Sequence, residues 1–144
     1  IGCYSDPGLA LCRETTKRPV FGIAECAMLT ALTRAMSFGV IAIMSKSISR
    51  HLRHMRERLL HNHCAGERPL ELTVAEVESG SKTFEKMEKV GRELRDLDGA
   101  EVIIMGCAGM AKHRVALEKS LGIPVVDPTQ AAAGMAISTI QLAY

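Results

Sequence analysis

Two cysteines in this chain stand in matched surroundings. Gly2-Cys3 and Gly106-Cys107 are each followed by a helix-like stretch and then by Pro-Val, with 16 residues from Cys3 to Pro19 and 17 from Cys107 to Pro124. A spacing repeated in this way indicates two copies of one supersecondary unit. Each copy is expected to place its cysteine where a strand ends and a helix starts. Free backbone N–H groups and the helix dipole favour an anion there, which stabilises a thiolate and can also hold a substrate carboxylate or a developing oxyanion. Two such sulfurs facing each other across a cleft are suited to racemisation, in which one base removes a proton from one face of a carbon and a conjugate acid returns it to the other. Either cysteine alone reads more readily as a small buried residue than as a catalyst. The pairing is what points to chemistry.

The elements that must position these residues alternate short apolar runs with longer amphipathic stretches, the pattern of a parallel sheet covered by helices. Expected strands are Val20 to Ile23, Phe38 to Met44, a weaker one near Leu70 to Leu72, Val102 to Met105 and Pro124 to Val126. Expected helices are Ala24 to Met36, Ser47 to Leu60 with Leu52, Met55 and Leu59 on one face, Ser81 to Leu97, and Ala108 to Leu121 stopped by Gly122. A last helix follows Asp127 as cap and Pro128 in its first turn. The fold class is therefore α/β, with two pseudosymmetric Rossmann- or flavodoxin-like halves and helices on both sheet faces. Residues 1–36, joined by the helix over 128–144, form what is left of the first half, and residues 37–127 form the second. The second copy has 69 residues from Phe38 through Gly106 ahead of its cysteine and the first has only Ile1 and Gly2, so symmetry leads us to expect a comparable stretch upstream.

Composition narrows the function classes. Apolar residues make up 47% and charged residues 24%, a globular balance, while aromatics at 3% with no Trp argue against binding sugars or single strands by stacking. A net charge of +2 does not call for a polyanionic partner, and the basic stretch from Ser49 to Arg56 reads as a solvated helix face rather than a nucleic-acid contact. No apolar run approaches the roughly 20 residues that span a bilayer, and the chain opens without a secretory pattern. Five cysteines without framework spacing fit reduced thiols. The expectations are a cytoplasmic protein with no membrane and no nucleic-acid partner.

Other candidates carry two readings each. His61, His63 and Cys64 form an H-x-H-C cluster of zinc-type donors, but no fourth ligand has evident spacing and an exposed loop is the simpler account. Cys12 and Cys26 read as core thiols. Glu25 begins a helix, so it is either a dipole-matched carboxylate or a residue lining the cleft; Asp6 and Asp127 read first as helix caps, and Thr129 and Gln130 are secondary candidates.

At Cys3-Tyr4-Ser5-Asp6-Pro7-Gly8-Leu9, Pro19 to Glu25, Gly106-Cys107-Ala108-Gly109-Met110 and Pro124 to Pro128, the chain resembles the Asp/Glu racemase superfamily, specifically its hydantoin and allantoin racemase branch. The order and spacing of the four motifs are specific where each alone is not. The resemblance implies a small-molecule substrate between two α/β halves, no cofactor (neither metal nor pyridoxal phosphate) and a homo-oligomer. It also implies that family members extend further at the amino end, where they contribute a strand and a substrate-binding loop. Residue by residue it makes Cys3 and Cys107 the catalytic pair and places Tyr4, Ser5, Asp6, Ala108 and Gly109 around the substrate. Glutamate and aspartate racemases usually carry Thr and then a polar helper after the second cysteine. Ala108 and Gly109 stand here instead, which favours an activated ring such as a 5-substituted hydantoin or allantoin over a free amino acid. Many hydantoin racemases also carry a Thr-Thr pair where this chain has Ala42-Ile43, and Ser45 or Ser47 are the hydroxyls nearby that could replace it. Alternatives are an amino-acid racemase, a relative of arylmalonate decarboxylase or maleate isomerase, and a noncatalytic binding or thiol-redox protein. The last lacks the C-x-x-C pair that redox chemistry favours.

Overall fold

A computed structural model describes residues 1–79 and 82–143. Its centre is a four-stranded, all-parallel sheet in the order β2-β1-β3-β4, formed by β1 (Phe38–Ala42), β2 (Cys64–Pro69), β3 (Val102–Met105) and β4 (Val125–Val126). β1 and β3 are wholly buried. That is why they read as unbroken apolar runs: helices cover both sheet faces, so no residue alternates to water. Their register pairs Phe38 with Val102 and Ile41 with Met105.

Side chains leave the sheet alternately to two cores. On one face Ile41, Ile103, Met105 and Val125 pack with Met87, Leu94, Leu117 and Leu121, supplied by α5 (Thr83–Asp96) and α6 (Arg114–Leu121). On the other, Val40, Val102, Ile104 and Val126 pack with Ala24, Ala27, Met28 and Met55, from α2 (Ile23–Leu32) and α3 (Ser45–Glu57). The remaining helices are α1 (Leu9–Thr15), α4 (Val74–Ser79) and α7 (Pro128–Gln141). α7 packs against α2; as expected, Pro128 opens it and the Asp127 carboxylate accepts from the Thr129 N–H at 3.1 Å. Among the described residues no helix is long and apolar enough to cross a membrane.

Several expected elements differ. Val20 to Ile23 is not a strand: α2 already begins at Ile23, and the segment keeps only two ladder-like bonds, Ile1 N–H to the Phe21 carbonyl (2.7 Å) and Ile23 N–H to the Ile1 carbonyl (3.3 Å). The edge strand is Cys64–Pro69 rather than Leu70 to Leu72, although Leu70 and Leu72 extend its bonding to Ala42 and Ile43. Ala108 to Leu121 is not one helix: Ala108–His113 is a tighter 3-10 turn that hands over to α6. α3 faces the sheet through Ser47, His51 and Met55, the i, i+4, i+8 stripe, while Leu59 lies beyond its end and is exposed. α4 was not anticipated; Thr73 and Glu76 form a reciprocal capping box at its start, with the Thr73 N–H donating to the Glu76 carboxylate at 2.7 Å. The expected helix start at Ser81 and helix end at Tyr144 lie outside the described residues.

Candidate active site

β1 and β3 end side by side, and the residues just beyond them floor a cavity of about 560 Å³ lined by both Cys3 and Cys107. Cys107 reaches it because Gly106 lets β3 close against β1. The Gly106 N–H donates to the Ile41 carbonyl at 2.8 Å, and a Cβ built on Gly106 would stand 2.6 Å from that same oxygen. No side chain fits there. Cys107 then caps the 3-10 turn, its Sγ accepting from the Gly109 N–H at 3.4 Å.

This helix start does not poise a thiolate. Burial pushes the Cys107 thiol above its usual value and Cys3 nearby adds to the rise, while the single Gly109 N–H only partly opposes them. The expectation of a stabilised thiolate at Cys107 is therefore overturned: one long hydrogen bond does not repay the loss of water around the sulfur. Cys3 departs differently. It is exposed and sits in a turn closed by the Asp6 N–H on the Cys3 carbonyl at 2.9 Å, six residues ahead of α1.

That turn is held by Asp6, whose backbone lies in the left-handed region at φ 42°. Its buried carboxylate accepts from the N–H groups of Ala24 (3.1 Å) and Glu25 (2.9 Å), capping α2 from a distance, and lies 3.2 Å from His54 Nε2. Gly22 makes room, since a Cβ there would come within 2.3 Å of the carboxylate. Asp6 thus anchors the Cys3 turn to α2 and does not line the cavity shared by the two sulfurs. Nor does Glu25, which bridges Arg13 and Arg58, each at 2.6 Å. Ser45 is exposed at the start of α3 with its N–H on Glu71, also outside the cavity; Ser47 does line it, its hydroxyl donating to the Met44 carbonyl at 2.7 Å.

Tyr4, Ser5, Ala108 and Gly109 are brought together with the two cysteines. Tyr4 is buried, and its hydroxyl is driven upward in pKa first by burial and then by Glu67. The sequence reading missed His51, buried on the cavity wall, its ring nearly perpendicular to that of Tyr4 with the ring centroids 5.1 Å apart. Its Nδ1 lies 2.5 Å from Glu67 Oε1 on β2, and its Nε2 lies 3.3 Å from Ser5 Oγ; the same Oγ accepts from Arg50 Nε–H at 2.8 Å. The available signal was the i, i+4 relation of His51 to Ser47 and Met55. Elsewhere, Cys64 opens β2 half-buried rather than lying in an exposed loop, and burial raises its thiol to about 11; His63 Nδ1 contacts the Met36 carbonyl at 3.0 Å. Cys26 is a core thiol, also pushed to about 11 by burial.

The sequence profile of the Asp/Glu/Hydantoin racemase family matches residues 1–136. The chain belongs to that family. This racemase-family chain is 36% identical to a hydantoin racemase from Paenarthrobacter aurescens over 146 residues, covering all of this chain and 61% of the relative. Among solved structures it resembles an allantoin racemase from Klebsiella pneumoniae (TM-score 0.91, 34% identity, 99% of this chain and 59% of that one). It likewise resembles an allantoin racemase from Pseudomonas fluorescens (TM-score 0.94, 27% identity, 99% and 61%). It thus spans about 60% of the length of these relatives.

Proposed function

We propose that this racemase-family chain supplies the two proton-transfer sulfurs of a cofactor-independent racemase for a 5-substituted hydantoin or allantoin. The observation that carries the reading is the shared cavity: Cys3 and Cys107 arrive on separate segments, one before α1 and one after β3, and line the same space. On this reading residues 1–36 with α7 bear one sulfur and residues 37–127 bear the other, with the substrate between the two parts.

The chemistry balances without a further reactant. As the C5–H bond breaks, the proton goes to the thiolate of one cysteine and the electron pair moves into the neighbouring carbonyl as an enolate. The thiol of the other cysteine then gives its proton to the opposite face and becomes the thiolate. Burial keeps Cys107 protonated at neutral pH, which suits it to enter as the donor. With the Gly109 and Met110 N–H groups donating to Cys107, the Ala108 N–H at the start of the 3-10 turn of residues 108–113 is the donor at this end of the cavity that would hold the enolate oxygen. The flanking Ala108 and Gly109 offer no polar side chain to assist deprotonation of a free amino acid. An activated ring, whose carbonyls already acidify the C–H, is the better match.

Replacing Cys3 or Cys107 singly by Ala should abolish racemisation of 5-benzylhydantoin followed by polarimetry. The surviving sulfur should still exchange solvent deuterium into one enantiomer. Full racemisation by either single variant overturns the two-sulfur scheme.

A further inference from the structure

Ser5 Oγ sits at a junction whose polarity is set from behind. A serine hydroxyl has one proton and two lone pairs. One lone pair is filled by Arg50 Nε–H at 2.8 Å, and His51 Nε2 stands 3.3 Å away on another side. What Ser5 offers the cavity therefore depends on His51. If Nε2 is bare, the Ser5 proton goes to it and a lone pair is left facing the ligand; if Nε2 carries a proton, Ser5 is filled as an acceptor and must donate outward. The Glu67 carboxylate 2.5 Å from Nδ1 is an acceptor and holds the ring proton on Nδ1. Two cationic donors converging on one oxygen is the less favourable alternative, because Arg50 is permanently charged and already bonded there.

We propose that the Glu67–His51 pair is a positioning device that turns the Ser5 hydroxyl into a hydrogen-bond acceptor, so that the Cys3 side of the cavity selects a neutral ring N–H next to the reacting carbon. The inference rests on the racemase reading and deepens it. Ser5 is two residues from Cys3 and lines the same cavity, so it meets the atoms bonded to the carbon that Cys3 addresses. In a hydantoin the N–H bonded to that carbon is N1. A free amino acid also presents donors there, but on an ammonium, which Arg50 and Lys46 on the same wall repel. The site is thus built for an uncharged donor. His51 need not touch the substrate; it acts through Ser5.

The probes are 3-methyl-5-benzylhydantoin and 3-methyl-5-benzyloxazolidine-2,4-dione, both unable to ionise at N3, the second replacing the N1–H by an oxygen of nearly the same size. The wild-type protein should bind the hydantoin about ten-fold more tightly by calorimetry. Glu67→Gln releases the tautomer and His51→Gln removes the ring, and both should shrink that preference towards parity while binding of the oxazolidinedione changes little. In the wild-type protein, 15N spectra of histidine-labelled samples, with His51 assigned by its loss in H51Q, should report a neutral ring protonated at Nδ1, and E67Q should move population to Nε2–H. An imidazolium at His51 at neutral pH, or full discrimination between the probes in both variants, overturns the inference while leaving the two-sulfur reading intact. No binding of the hydantoin by the wild-type protein overturns both.

Discussion

Replacing Gly106 by Ala tests whether the approach of β3 to β1 places Cys107. The added methyl would stand 2.6 Å from the Ile41 carbonyl oxygen and 3.3 Å from the Ala42 Cα. Carbon and oxygen are in contact at about 3.3 Å, so the strand ends must part by about 0.7 Å. That separation stretches the 2.8 Å bond from Gly106 N–H to Ile41 beyond a useful length. Overpacking costs about 1–3 kcal/mol and the buried hydrogen bond about 1 more. The sum, about 2–4 kcal/mol, corresponds to a fall in Tm of about 6–12 °C for a chain of this size. Because Cys107 is the next residue, its sulfur moves by a similar distance, and a misplacement approaching 1 Å costs about 10²-fold in rate. Gly134→Ala is the control: nothing lies within 4 Å of its Cβ position in α7, and it should be neutral or slightly stabilising. Thermal melting and racemisation of 5-benzylhydantoin read the two effects. A G106A protein that melts within about 2 °C of wild type and keeps its rate would refute the reasoning.

Three further outcomes follow from the geometry. Because Cys107 titrates above the usual thiol value of 9.0, its alkylation by iodoacetamide, followed by peptide mass spectrometry, should keep accelerating past that pH; a plateau well below it would contradict the burial argument. Burial alone would raise the Glu25 carboxyl, but hydrogen bonds from Arg13 and Arg58 outweigh it and hold the group below 4.5, so its contribution is present above that pH and lost as pH falls through the lower folded value. Glu25→Gln should accordingly cost on the order of 1 kcal/mol at neutral pH, with the gap to wild type in urea midpoint closing in acid, and a gap that widens instead would count against the network. Asp6→Ala removes the acceptor for two α2 N–H groups and should cost about 1–3 kcal/mol, whereas Asp6→Asn keeps one acceptor and should lose less; equal stability of all three proteins would show the cap to be idle.

The sequence made β1 and β3 plain because a strand covered on both faces must be apolar at every position, as Phe38 to Ala42 and Val102 to Met105 are. It hid β2 for the opposite reason. Cys64 to Pro69 is an edge strand of half-buried residues whose Glu67 and Arg68 make polar contacts, so neither a continuous nor an alternating apolar pattern marks it. Both cysteines were legible from their repeated surroundings, since that signal needs only residue order. Their electrostatics were not, because burial is a property of the packed chain: it reversed the expectation for Cys107, and Cys3 stands free of any helix start. His51 escaped notice inside a stretch dominated by Arg50, Arg53 and Arg56. A charged run reads as a solvated face until the helix is set against its sheet, and here the face turned inward was Ser47, His51 and Met55. Asp6 was correctly suspected of capping, but the helix it caps begins seventeen residues later, a relation local periodicity cannot contain.

The two sulfurs live in unlike surroundings, one open to water and one sheltered beneath the ends of β1 and β3. Mirror-image substrates have the same free energy in an achiral solvent, so for a racemase the equilibrium constant is one and the Haldane relation requires equal kcat/KM in both directions. On the proposed two-sulfur reading, any difference in kcat that the unlike surroundings of Cys3 and Cys107 produce is matched by the same factor in KM, the enantiomer that turns over faster having the higher KM. A lopsided pocket and an even-handed equilibrium are compatible only in that proportion.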